Sequence, residues 1–376
     1  MKKKKVLFLI ESFIVGGAEK VLIDIVNHLN SNKYDITVCS VFKHSVYKGY
    51  DKTFEKPFKD HINYRYLINN TYHWLYLIFN FFLARFPNII YQLFIGDKYD
   101  TVIAFYEGLP TYWIANAKLK KGKKIAWLHT STQLSQQGKS FLELEKQHKY
   151  YTEFEKIVAV SQGVADSFTT LFNLKDKVTV IYNPINSQTI IEKSLLPSPI
   201  KKTTNPTFVS VGRMTEAKGY DRWLRILLKL KNKGYKFQSW IIGGGDRDKY
   251  EEFVKDNHLT DYIIFLGHQD NPYPYIQQAD WIACPSLIEG LSTVVLESLI
   301  LKKAIITTDC PGMKELLGEN QYGIVCDNNE DTITYMIEKV LCIPSLQKQY
   351  ESALLNYPFE FELKKSIYQI ENLLDA

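Results

Sequence analysis

Two glutamates, Glu289 and Glu297, stand in CPSLIEGLSTVVLESL with seven residues between them, and almost every other residue of the stretch is small or apolar. A carboxylate in such surroundings is costly unless a partner satisfies it. Carboxylates accept hydrogen bonds from hydroxyls, so one chemistry open to the pair is sugar recognition. DWIACPS reads as a strand and STVVLESLILKK as a helix beginning near Ser292. At about 1.5 Å per residue, Glu297 then lies about 7 Å into the helix, while Glu289 precedes it. A diphosphate resting on the amides of Ser292 and Thr293 would have one carboxylate on either side. A nucleotide sugar has hydroxyls on both flanks of its diphosphate, on the transferred sugar and on the ribose. The same spacing also fits a plainer arrangement, with Glu289 capping the helix and Glu297 in a structural ion pair. Spacing alone leaves both open.

In VSVGRMTEAKGYD a strand ends at Gly212, and Arg213 and Lys218 follow, five residues apart, before a helix. Two cations beside a helix N-terminus suit a diphosphate clamp; solvated surface charges are the alternative. Gly16-Gly17 lies between an apolar strand and a helix, where bare backbone can approach a phosphate or sugar, or simply turn. It is no dinucleotide fingerprint, because the GxGxxG spacing is absent, and no Walker A sequence occurs. His129 closes the run KKIAWLH, and Glu107 sits in FYEGLP at another strand end. Asp246 and Asp248 in GDRDK imitate a metal-binding DxD sequence but read as a coincidental turn. No cysteine or histidine spacing resembles a zinc site.

These residues fall at the ends of short apolar runs alternating with amphipathic stretches, the pattern of parallel sheets with crossover helices. KVLFLI, DITVCSVF, DTVIAFY, KKIAWLH, KIVAVS and VTVIYN form one series; TFVSVGR, FQSWIIGGG, YIIFLG, WIACPS, KAIITTD and GIVCD form a second. SLLPSPIKKTTNP between them is polar and aperiodic, so it reads as a linker. The expected division is a first α/β domain over 1–185, a linker over 186–206, a second α/β domain over 207–358 and a terminal helical segment over 359–376. A chain of 376 residues is long enough for two cores. The net charge of +5 is too small to argue for a nucleic-acid partner. The cysteines number five, without a CxxC pair, and read as reduced core residues of a cytoplasmic protein. MKKKKVLFLIES imitates a signal peptide, but Glu11 interrupts it and a glycine turn follows, so it reads as a first buried strand. The most apolar segment, Trp74 to Ile95, is interrupted by Arg85 and Pro87. It reads as a core helix pair, or as an aromatic face (Phe79, Phe82, Phe86) lying on a membrane surface.

The order GGAE, SVGR…KG, GGG and EGLSTVVLE, with CPS before the last and TTDCPGMKELL…YGIVCD after it, resembles family 4 of the retaining glycosyltransferases. The likeness covers nearly the whole chain and is looser between Tyr34 and Gln147. It implies the GT-B fold: two Rossmann-like domains facing each other across a cleft, with the C-terminal helix crossing back to the first. It implies transfer of a sugar from a nucleotide sugar, UDP-linked, to a polyprenyl-diphosphate-linked saccharide in capsular or exopolysaccharide synthesis, at the inner leaflet of the membrane. In that likeness Glu289 contacts donor-sugar hydroxyls and Glu297 holds the ribose. Arg213 and Lys218 bind the diphosphate in place of a metal, so no cofactor is needed. Gly212, Gly267 and His268 line the nucleotide, and Gly290, Leu291, Ser292 and Thr293 form the turn under the donor. Gly16 and Gly17 approach the donor phosphate, and His129 touches the transferred sugar. Glu107 is a candidate acceptor contact. The family commonly has Phe-Gly where this chain has Leu291-Ser292, which puts the local sugar contacts in doubt.

Other readings remain open from sequence. A nucleotide-sugar epimerase of GT-B fold should show further acid–base residues. A non-catalytic sugar-binding protein should lack the cation pair. A protein or teichoic acid is an alternative acceptor.

Overall fold

In a computed structural model the described residues are 2–13, 16–44, 57–69, 73–131, 144–359 and 361–376. The chain divides into two compact units, Met1–Pro184 with Leu363–Ala376, and Ile185–Glu362.

The first unit holds a parallel sheet of seven strands: β1 (Lys4–Ser12), β2 (Tyr34–Phe42), β3 (Asn63–Ile68), β4 (Thr101–Ala104), β5 (Lys123–Leu128), β6 (Lys156–Ala159) and β7 (Val178–Val180), in the order β3-β2-β1-β4-β5-β6-β7. The second holds six: β8 (Thr207–Val211), β9 (Gln238–Ile242), β10 (Ile263–Gly267), β11 (Trp281–Cys284), β12 (Ala304–Thr308) and β13 (Ile324–Cys326), in the order β10-β9-β8-β11-β12-β13. Both are doubly wound sheets whose strand order reverses at the first strand. Ligands bind such sheets outside the carboxyl ends of the strands beside that reversal. Burial on both faces explains the near-continuous apolar strands: Val6, Leu7, Phe8 and Leu9 are wholly buried. In the helix Tyr220–Asn232, Tyr220, Trp223, Leu224, Leu227 and Leu230 recur at helical spacing and are buried against the second sheet.

The helix Leu363–Asp375 belongs to the first unit. It is tied there by the Lys4–Asp375 ion pair (3.2 Å), by the Asn30 amide donating to Glu371 Oε1 (2.9 Å) and by buried Ile367, Ile370 and Leu374.

At three places the structure corrects or adds to the sequence reading. The stretch 186–206 is not linker throughout, since it opens with the helix Ser187–Ser194. Asn186 Oδ1 caps that helix by accepting from the Thr189 amide, and Ile190 is buried. Two turns with one buried isoleucine are too short to show a period. The edge strand β3 was also not anticipated, because NYRYLI alternates aromatics with polar residues and leaves Tyr64 and Tyr66 exposed. Finally, Trp74 to Ile95 forms two helices, His73–Arg85 and Pro87–Phe94, bent by 115° where Pro87 forces a break. Among the described residues no single helix is long and apolar enough to cross a membrane. Phe79, expected on an exposed face, is buried between Phe42 and Trp113, whereas Phe82 and Phe86 are exposed.

Candidate active site

β8 and β11 are neighbours at the reversal of the second sheet, so the segments leaving their carboxyl ends meet there. β8 runs into Gly212 and Arg213, then a single turn Glu216–Lys218, then Gly219 and the helix Tyr220–Asn232. β11 runs into Pro285–Gly290 and then the helix Thr293–Ile300.

Two glycines let these backbones close up. Gly219 is left-handed (φ 68°), and a Cβ there would lie 2.0 Å from the Pro285 carbonyl oxygen. At Gly243, just past β9, a Cβ would lie 1.8 Å from the Gly212 carbonyl oxygen. The loop after β11 is then bonded at almost every residue. The Leu287 amide donates to Ala217 O (2.7 Å), and Thr308 Oγ1 donates to Ser286 O (2.6 Å). The buried guanidinium of Arg222 donates from Nε and Nη2 to Pro285 O (3.1 and 2.8 Å) and from Nη2 to Ser286 O (2.8 Å).

On this frame Lys218 Nζ donates to Glu289 Oε1 at 2.6 Å, and Ser286 Oγ donates to the same oxygen at 2.7 Å. The helix that follows is capped by Ser292, whose Oγ accepts from the Val295 amide (3.5 Å), and not by Glu289. Glu297 is the fifth residue of that helix, buried, and accepts from Tyr273 OH at 3.1 Å. Of the plainer arrangement, the cap is Ser292 and not Glu289, and Glu289 carries an ion pair of its own. Gly290, Leu291 and Ser292 are buried and Thr293 is half-buried. Arg213 is half-exposed at the end of β8. Gly267 (φ 65°) ends β10 and accepts from the Gly243 amide (2.8 Å), and His268 beside it faces Asp270 (3.0 Å). Asp246 and Asp248 are exposed and sit in a turn in which the Asp248 amide donates to Asp246 Oδ1 (3.3 Å). No group of metal-ligating side chains occurs among the described residues.

The other expected residues lie in the first unit. Gly16 caps the helix Gly17–His28, at the carboxyl end of β1. Glu107 follows β4 and His129 follows β5, its neighbour in the sheet. They are joined through backbone: Glu107 Oε1 accepts from the His129 amide (2.6 Å), the Thr130 amide (2.8 Å) and Thr130 Oγ1 (3.2 Å). The His129 ring stacks on Tyr106 (5.6 Å between centroids) and meets the edge of Phe105 (4.8 Å). His129 Nε2 and Glu107 Oε2 are buried with no hydrogen-bond partner among the described residues. As an acceptor contact Glu107 thus has only Oε2 to offer.

Burial pushes His129 down to about 3, against a backbone hydrogen bond at Phe105 that favours the charged form. Burial pushes the Glu107 carboxyl up, opposed by the bonds from Thr130 and His129. The unfolded chain therefore protonates His129 near pH 6.5 while the folded chain refuses the proton. Stability from this residue is complete above pH 6.5 and is lost as pH falls toward 3. Glu107 runs the opposite way above its unfolded pKa. Between pH 7 and pH 5 the stability advantage of wild type over His129→Gln should shrink by about 2 kcal/mol, read by urea denaturation at each pH. An unchanged difference would mean that His129 titrates as an exposed imidazole does.

A model described as Glycosyltransferase Family 4 matches residues 15–189, and one described as Glycosyl transferases group 1 matches residues 193–354. The chain belongs to glycosyltransferase family 4. As a family 4 chain of GT-B fold it superimposes on Anabaena HepE, solved in complex with UDP and glucose, with a TM-score of 0.76 and 18% identity over 99% of both chains. An uncharacterized glycosyltransferase of Haemophilus influenzae is 24% identical over 376 residues, 99% of this chain and 100% of that one. A Campylobacter jejuni N-acetylgalactosamine-N,N'-diacetylbacillosaminyl-diphospho-undecaprenol 4-alpha-N-acetylgalactosaminyltransferase is 27% identical over 206 residues, 54% of this chain and 55% of the relative.

Within this family 4 chain, sequence reasoning missed Arg222, Ser286 and Tyr273. Arg222 had a visible signal: it is a charge four residues before Ile226, on the apolar side of its helix. Tyr273 had none, because its partner is 24 residues away, and Ser286 none, because its hydroxyl meets Glu289, three residues on, only through the fold of the loop after β11.

Proposed function

We propose that this protein is a retaining, metal-independent glycosyltransferase. In this reading it moves a sugar from a UDP-linked nucleotide sugar to a polyprenyl-diphosphate-linked saccharide in cell-surface polysaccharide synthesis, at the cytoplasmic face of the membrane. The observation that carries the reading is the cluster at the β8/β11 reversal: Arg213 and Lys218 on one segment, with Glu289 and a serine-capped helix N-terminus on the other. UDP as the leaving group is supported by HepE, which was solved with UDP and glucose. The lipid-linked acceptor and the α linkage are supported by the name of the Campylobacter relative.

In the reaction the bond between the anomeric carbon and the phosphate oxygen breaks, through a state resembling an oxocarbenium ion. Charge grows on the departing diphosphate. Arg213, Lys218 and the amides at Ser292 and Thr293 are the groups that would meet it electrostatically. The acceptor hydroxyl forms the new bond on the same face and gives its proton to a departing phosphate oxygen, which preserves the anomeric configuration. Glu289 would accept from hydroxyls of the transferred sugar and Glu297 from the ribose. Tyr273 fixes the rotamer of Glu297 by its hydrogen bond. Tyr273→Phe should therefore raise KM for the donor severalfold with kcat nearly unchanged; a fall in kcat at constant KM would place Tyr273 elsewhere in the mechanism.

The test is release of nucleoside diphosphate from a panel of nucleotide sugars, in EDTA, with and without a polyprenyl-diphosphate-linked saccharide. Acceptor-stimulated release of UDP with a new α linkage is expected. Release without transfer, or activity that EDTA abolishes and manganese restores, would overturn the reading and return interest to Asp246 and Asp248.

The membrane part rests on the bent helix pair, which leaves Trp74, Leu77, Ile78, Phe81, Phe82, Phe86, Ile89 and Leu93 exposed, Phe81 at 69% and Leu93 at 73%. Interfacial helices dock in this way, helped by cations such as Arg85, Lys2 and Lys3. Wild type should float with anionic vesicles at low salt, and a Phe81→Ser, Phe82→Ser, Phe86→Ser variant should not. Equal flotation of the two would leave the face without a docking role.

A further inference from the structure

Lys218 and Glu289 are assigned to different parts of one ligand, yet they are bonded to each other at 2.6 Å, with side-chain exposures of only 25% and 12%. The carboxylate is also held from the other side, because Ser286 Oγ donates to the same Oε1 at 2.7 Å. Ser286 is itself fixed through its carbonyl by Arg222 and Thr308. Glu289 thus cannot swing away freely, and its charge stands beside the ammonium that a diphosphate would need. A nucleoside diphosphate arriving without a sugar meets a lysine already neutralised in part, and a carboxylate that repels the phosphate. A nucleotide sugar brings hydroxyls that donate to Glu289, satisfy it and draw its charge away from Lys218.

We propose that Glu289 is a specificity determinant acting through Lys218, lowering the affinity of the site for the bare nucleoside diphosphate relative to the nucleotide sugar. The inference rests on the donor-site reading above and adds a direction to it. The same carboxylate that helps the sugar in helps the product out, because once the sugar has left the Lys218–Glu289 pair forms again. A residue that served only to grip the sugar would leave affinity for the bare diphosphate unchanged, and one that served only to hold the fold would lower it.

The experiment is titration calorimetry of UDP, GDP and ADP into wild type and Glu289→Gln, alongside turnover with the matching nucleotide sugar. Glutamine keeps the shape and the acceptor oxygen and removes the charge. Glu289→Gln should bind the nucleoside diphosphate that wild type selects about fivefold to fiftyfold more tightly while turning over more slowly. In a Lys218→Met background the gain should vanish, since it works through that ammonium. Equal or weaker binding by Glu289→Gln, or a gain that survives loss of Lys218, overturns the inference while leaving the donor-site reading standing. Failure of both wild type and Glu289→Gln to bind any of the three overturns the donor-site reading and the inference with it.

Discussion

Lys218→Met and Arg213→Ala should each lower turnover about a hundredfold or more while leaving the sheets intact. The estimate follows from where charge moves. In the ground state the diphosphate already carries charge, but the oxygen bonded to the sugar gains more as that bond breaks. A cation held beside it is worth roughly 3–4 kcal/mol more in the transition state than before. The two positions differ in their side effects. Arg213 is half-exposed at a strand end. Lys218 is the ion-pair partner of Glu289, so removing it leaves a largely buried carboxylate with Ser286, which should cost about 1–3 kcal/mol in urea denaturation. Kinetics separate the roles: a fall in kcat at near-constant KM marks transition-state stabilisation, and a rise in KM alone marks simple binding. Near-normal kcat in both variants would mean that the clamp lies elsewhere.

What sequence showed of this site and what it hid divide along one line. Glu289 and Glu297 were conspicuous because carboxylates are out of place in an apolar stretch, and Arg213 and Lys218 because they follow a strand end. Reading STVVLESLILKK as a helix beginning near Ser292 also placed that helix, since Ser292 caps it and Glu297 is its fifth residue. Their partners were illegible. Lys218 lies 71 residues before Glu289, and Tyr273 lies 24 before Glu297. Those contacts exist because the crossover helices place β8 beside β11, and strand order is a property of the whole sheet. The same holds in the first unit, where Glu107 meets the amides of His129 and Thr130 only because β4 neighbours β5. Local rules failed where local signals were weak: at β3, whose edge position tolerates polar residues, and at Ser187–Ser194, where one buried isoleucine makes the helix.

The arrangement also shows why the loop between β11 and its helix is built from backbone contacts. A group that must hold Glu289 beside a cation, without pinning it by a second charge, is best fixed through carbonyls. Pro285 and Ser286 provide these, and Arg222 and Thr308 hold them from beneath. Arg222 therefore acts on the site through geometry, although its guanidinium is buried.

Gly219 is where that geometry is most exposed to a single atom. Gly219→Ala should destabilise the protein by about 3 kcal/mol or more, and turnover should collapse with it. Two costs add. The left-handed backbone, φ 68°, disfavours any Cβ by about 1–2 kcal/mol. The methyl would also sit 2.0 Å from the Pro285 carbonyl oxygen, a backbone atom that Arg222 holds in place, so relief requires the strand-end turn and the loop to part. That movement carries Lys218, the preceding residue, away from Glu289. Gly234, just beyond the far end of the same helix, separates the two costs. It too is left-handed (φ 86°), but a Cβ there meets nothing within 4 Å. Gly234→Ala should lose only about 1–2 kcal/mol and keep its turnover. Urea denaturation and steady-state rates of the two variants side by side make the comparison. If Gly219→Ala proves no less stable and no slower than Gly234→Ala, the close approach of Gly219 to Pro285 is not what holds Lys218 against Glu289.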